Sequence, residues 1–99
     1  MKKISDKDLR LEDIPPNNSY EGAAEFAHAL DQLDSFDETA KISKQVKERI
    51  KENRTDDLSL RELRISLFFY FRSLRHSGTS PNSELINKHL DLIRIQLTE

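Results

Sequence analysis

The sequence predicts a small all-α domain, four helices preceded by an extended N-terminal arm. Three observations predict it. The stretch from Leu58 to Gly78 is the most apolar in the chain and carries its own start and stop signals. Three further runs repeat apolar residues at helical spacing, each opened by a Ser or Asn able to cap it. Pro15-Pro16 favours an extended path and forbids a helix through the pair, because proline lacks an amide hydrogen and pushes its predecessor toward extended backbone. The expected organisation is therefore an arm over residues 1–18 and a single helical domain over residues 19–99. Leu, Ile, Val and Phe number 27 of 99, enough to build a modest core rather than leave the chain disordered.

The arm scatters Leu9, Leu11 and Ile14 among charges before the prolines, so it can dock on a helical body, its own or a neighbour's. Helix one is expected to start after Asn18, with Glu21 reaching back to the cap. Its inward face is Ala23, Phe26, Ala27, Leu30 and Leu33, and it runs to about Asp34. Helix two follows closely, with Ser35 and Glu38 repeating the capping pattern and a narrow stripe of Ile42, Val46 and Ile50. It is expected to be the least buried helix. Asn53 to Asp57 reads as a polar turn.

Helix three is the centre. Ser59 caps the first turn and Glu62 completes a capping box, while Leu58 and Leu63 sit where a hydrophobic staple would. Gly78 after Arg75 and His76 marks the end, since glycine takes the left-handed terminal position and cations suit the carbonyl end. Leu60, Leu63, Leu67, Tyr70, Phe71 and Leu74 share one broad face, and Ile65 and Phe69 point almost the opposite way. A helix apolar on two sides is expected to be covered on two sides. Helix four has Ser80 as its expected cap and Pro81 at its first position. Ile86, Leu90, Ile93 and Leu97 form one stripe, and Leu85, Leu92 and Ile95 a second, with His89 and Gln96 between them.

Charge bounds the partners. The net charge of −2 gives no bulk attraction to nucleic acid or acidic membranes. No cysteine is present, which removes disulfides and a thiol nucleophile. MKKISDKDLR places charges where a signal peptide needs an apolar run, and nothing approaches a spanning length, so a cytoplasmic protein away from membranes is expected. Residues 20–38 hold six acids and no Lys or Arg, while residues 41–54 hold six bases and two acids. A short link between such segments predicts an antiparallel hairpin of helices one and two that attracts itself.

Candidate binding residues lie on helix three. Arg61, Arg64, Arg72 and Arg75 fall within about 80° of helical arc, with Phe68 at its middle. Guanidinium groups grip carboxylates or phosphates, and the ring offers a stacking face. The competing account lays these arginines along the core's edge, paired with helix-one carboxylates. The Lys-rich second helix (Lys41, Lys44, Lys47, Arg49, Lys51) is the other candidate footprint, and its plainer reading is a solvated face. Glu25 and His28 have the E-x-x-H spacing of helical di-metal sites but point away from the apolar face, and His76 and His89 lack matching partners. No metal or other cofactor is expected. Catalysis has no signature: there is no G-x-S-x-G, no phosphate-binding glycine loop and no facing pair of acids.

The leading expectation is a non-catalytic protein-binding or regulatory protein, an adaptor, inhibitor or immunity- or antitoxin-like protein acting through a surface. The alternative is a nucleic-acid-binding module using the second helix or the arginine stripe. Surplus apolar surface on the last two helices (Ile65, Phe69, Leu85, Leu92 and Ile95) further predicts a homodimer. The arm folding over that surplus is the competing account.

Overall fold

The computed structural model describes residues 7–29 and 35–98. A 3-10 turn, Leu11–Asp13, precedes four helices: α1, Tyr20–His28; α2, Phe36–Lys51; α3, Leu60–Ser77; and α4, Ser83–Thr98. The described residues contain no strand. Leu30 and Leu33, the expected continuation of the first inward face, and its expected end near Asp34 lie outside the described residues.

α3 is the hub, with apolar residues on more than one face. It packs against α1, α2 and α4, most extensively against α2. Its boundaries follow the expected chemistry. The Ser59 hydroxyl accepts from the Glu62 amide, and the Glu62 carboxylate accepts from the Ser59 amide at 3.0 Å. Leu58 and Leu63 are both buried, as a staple requires. Gly78 ends the helix at φ +68°, a conformation that costs a side chain dearly and glycine little. Leu63, Leu67, Tyr70, Phe71 and Leu74 enter the core together with Leu90 and Ile93 of α4 and Val46 of α2.

The arm packs on its own body. Leu9 and Ile14 are buried in the common core, while Leu11 is exposed. Asn17 and Asn18 anchor the arm to α4: the Asn18 amide donates to the Asn87 side chain, which donates back to the Asn18 side chain, and Arg94 donates to Asn17 and to the Pro15 carbonyl. Asn18 holds φ 68°, which asparagine tolerates better than most residues. The first cap is therefore Ser19, one residue later than expected, with its hydroxyl accepting from the Gly22 amide. A Cβ at position 22 would lie 2.7 Å from that hydroxyl oxygen and 3.0 Å from Pro15 Cβ, so any larger residue would push on the cap and on the arm where it closes over this turn.

Two other expectations are corrected. α4 begins at Ser83, capped by Asn82, whose side chain accepts from the Leu85 amide, and not by Ser80 with Pro81 inside the helix. The Tyr70 hydroxyl accepts from the Asn82 amide, which sets this start from α3. Nor do α1 and α2 form a paired hairpin. Both lie on α3 and make little contact with each other. Apolar burial at about 25 cal/mol per Å² outweighs surface charge pairs of at most about 1 kcal/mol, so each helix follows its apolar face. α2 buries Thr39, Ser43, Val46 and Ile50 in one line. It ends with Asn53 at φ 60° and the Arg54 amide donating back to the Arg49 carbonyl.

Candidate functional site

The structure gathers an aromatic and cationic surface where α3 meets the end of α1 and the start of α2. The rings of His28, Phe68, Phe69 and Phe36 follow one another in edge-to-face contacts of 5.3–5.7 Å. Phe36 is 52% exposed, whereas Phe68 and Phe69 are partly buried. The Arg72 guanidinium lies 4.7 Å over the Phe36 ring. Arg75 donates to His28 Nε2 at 2.7 Å, so that nitrogen carries no proton. Burial, and then the Arg75 charge, hold the His28 pKa below its usual value.

Of the five expected partner-binding residues, Phe68, Arg72 and Arg75 join this surface. Arg61 is exposed and engaged by other residues of the chain. Arg64 is 3% exposed and likewise engaged, so it is a buried component of the fold and not part of a surface stripe. Phe36 and His28 complete the surface and were absent from the sequence-based set. Phe36 stands three residues before Thr39, in helical register with the line of residues that α2 buries, yet at the first position of the helix it stays 52% exposed. The polar Thr39 and Ser43 interrupt that line, so it carries no continuous apolar repeat. Thr39 is admitted because its hydroxyl donates back to the Ser35 and Phe36 carbonyls.

The expected self-association residues do not share one exposed face. Ile65 is fully buried at 0% exposure, Phe69, Leu85 and Leu92 are partly buried, and Ile95 is 51% exposed. The fold covers much of the apolar surplus within one chain, with Leu85, Leu92 and Leu97 packed against the core.

A second feature is an open groove of about 560 Å³ between the C-terminal half of α2 and the start of α4. Ile50 and Leu85 give it an apolar floor, and Lys47, Lys51 and Lys88 stand along it, with Glu84 its one acid. The Lys47 ammonium lies 5.2 Å over the Tyr70 ring, and partial burial lowers its pKa. The groove joins Lys51 to Lys88 across 37 positions of sequence, so no local pattern announces it.

Between α3 and α4 lies a buried polar pair. His89 Nδ1 donates to the Leu85 carbonyl at 2.8 Å, which leaves Nε2 to accept from the Ser66 hydroxyl at 2.9 Å. A serine bonded to an imidazole has the form of a nucleophile and its base. Both residues are at 0% exposure, so no substrate reaches the pair in this arrangement. Burial chiefly, opposed by the Leu85 bond and reinforced by the Lys47 charge, lowers the His89 pKa to about 4. The histidine is thus neutral and structural at neutral pH.

Among the described residues, no three His, Asp or Glu side chains gather as a metal ion would need. The Glu25–His28 spacing leads to no such cluster, and His28 is turned to Arg75 and Phe68 instead. No described helix is long and apolar enough to cross a membrane. The chain matches no family model, and comparison with curated proteins and with solved structures finds no significant match.

Proposed function

We propose that the protein is a non-catalytic binding module that holds a partner protein on the surface formed by Phe36, Phe68, Phe69, Arg72 and Arg75. The observation that carries this reading is Phe36, a large ring more than half exposed, with a guanidinium stacked on it and two further rings behind it. Aromatic residues and arginine dominate binding energy in protein interfaces, where a ring fills a pocket and an arginine meets a carboxylate. A guanidinium already held against a ring loses less freedom on binding than a loose one. The fitting partner offers an apolar pocket flanked by acidic side chains, as a target of an adaptor or inhibitor would.

The test compares capture from an extract of the source cells by the wild type and by the double variant Phe36→Ala/Arg72→Glu. A defined protein retained by the wild type and lost by the variant, with the melting temperature unchanged, is the expected outcome. Equal retention by both, or none by either, overturns the reading. Sedimentation at micromolar concentration separates a foreign partner from a second copy of the chain, the homodimer that the apolar surplus suggested.

A nucleic-acid module is the second reading, favoured by the exposure of Lys41, Lys44 and Lys51 on α2. Phosphate contacts make affinity fall steeply with salt, so retention on single-stranded or duplex DNA at low salt, lost on reversing Lys41 and Lys44, distinguishes it. No retention at low salt removes it.

A further inference from the structure

We propose that the groove between α2 and α4 is a binding site for a small amphiphilic anion, a carboxylate carried on an apolar body. The argument begins with Lys47. Its ammonium is partly buried over Tyr70, and among the described residues it forms no ion pair. Lys51, one turn further along α2, and Lys88, across the groove on α4, likewise have no carboxylate partner among the described residues. Three ammonium groups around a concavity with one glutamate leave a local excess of positive charge, on a chain whose net charge is −2. A cation held partly out of water is stabilised by an anion that enters beside it.

The floor decides what that anion is attached to. Ile50 and Leu85, with the methylene stems of the lysines, offer aliphatic surface that a bare phosphate or acetate leaves unused. Size decides between a small molecule and a macromolecule. The volume of about 560 Å³ falls inside the range of roughly 300–1,000 Å³ typical of small-ligand sites. A standard protein interface engages roughly 20–30 residues a side, far more than the eight that line this groove. The ligand therefore sets its apolar part on Ile50 and Leu85 and its charged end between Lys47 and Lys88.

The test uses decanoate, kept below its micellar concentration, and follows the methyl NMR signals of Ile50 and Leu85. Acetate supplies the charge without the apolar body, 1-decanol the apolar body without the charge, and a short single-stranded oligonucleotide the phosphates. Decanoate is expected to shift both methyl signals saturably, with acetate and decanol weaker by about ten-fold or more. Lys47→Gln/Lys88→Gln is expected to weaken decanoate by a similar factor, and Lys41→Gln/Lys44→Gln, outside the groove on the same helix, to leave it unchanged. Lys88 is exposed, so Lys88→Gln alone carries the comparison if the change at Lys47 disturbs Tyr70. The proposal is overturned by decanol binding as tightly as decanoate, by equal weakening in both double variants, by shifts that do not saturate, or by the oligonucleotide displacing decanoate. The outcome is independent of Phe36 and Arg72, so it stands or falls apart from the protein-binding surface.

Discussion

α3 is gripped differently on its two flanks. Toward α4 the polar contacts are directional: Ser66 with His89, the Tyr70 hydroxyl with the Asn82 amide, and Gln96 with the Leu58 carbonyl. A slip of α4 by one residue would break all three, and it would strand the buried Ser66 and His89, where an unpaired polar group costs about 1–3 kcal/mol. Toward α2 the contact is Val46 and Ile50 with the small Thr39 and Ser43, and the polar groups lie at its margins. There Lys47 sits over Tyr70, Arg72 over Phe36, and Arg49 meets Glu62 at 3.3 Å. Charges on rings tolerate a range of angles. The α4 flank thus sets register and leaves no buried polar side-chain atom unpaired among the described residues. The α2 flank leaves an exposed ring and several cations facing outward, and both proposed binding surfaces include α2.

The largest expected effect strikes both flanks at once. Leu67 and Leu90 are fully buried, so truncating either to Ala should cost about 2–5 kcal/mol. In a domain stable by about 5–15 kcal/mol that is a large fraction of the whole. Denaturant midpoints close to wild type in both variants would mean that the hub lies elsewhere.

Acid separates the flanks. His89 titrates at about 4 in the fold and near 6.5 when unfolded, so the unfolded chain binds the proton first as pH falls. Stability from this group is intact above pH 6.5 and is lost progressively on the way down, by about 3 kcal/mol at pH 4. His28, also lowered, acts in the same direction. His89→Gln removes one titration and keeps a polar group in place, so it should flatten most of the profile between pH 6.5 and 4. A profile as steep in the variant as in the wild type would place the acid sensitivity outside the α4 flank. Ser66→Ala, which strips His89 Nε2 of its donor, should cost about 1–3 kcal/mol at neutral pH.

The legible parts of this chain were those decided locally. The Ser59–Glu62 capping box, the left-handed Gly78 and the two-sided apolar pattern of α3 need only neighbours in sequence, and each is present in the fold. Complementary charge points to a hairpin of α1 and α2, but apolar area decides the packing, and each helix lies on α3. The cap of α4 is Asn82 rather than Ser80: both residue types can cap a helix, and the Tyr70 hydroxyl that accepts the Asn82 amide comes from twelve residues earlier, beyond any local pattern. The two-sided pattern of α3 calls for cover on two sides without saying what supplies it, and the fold of the same chain buries Ile65 and Arg64, so neither reaches a binding surface. The binding surfaces were only half legible for the same reason. Phe68, Arg72 and Arg75 share one helix, but Phe36, His28 and Lys88 reach their neighbours only through the tertiary fold.

The smallest expected effect tests the α2 flank directly. Arg49 and Glu62 are joined at 3.3 Å with side chains 31% and 26% exposed, so water screens the pair and its worth is about 1 kcal/mol or less. Arg49→Gln should therefore lower stability slightly, and less in high salt than in low. Glu62→Ala should cost more, because the same carboxylate also accepts the Ser59 amide and closes the first turn of α3, a hydrogen bond worth about 0.5–1.5 kcal/mol. Glu62→Ala removes the cap and a first-turn acid as well as the ion pair, so its excess cost over Arg49→Gln should outlast the Arg49 effect as ionic strength rises. A loss of several kcal/mol from Arg49→Gln, insensitive to salt, would make the α2 flank as directional as the α4 flank. The contrast between them would then fail, because α2 could not leave its outward groups free of a structural task.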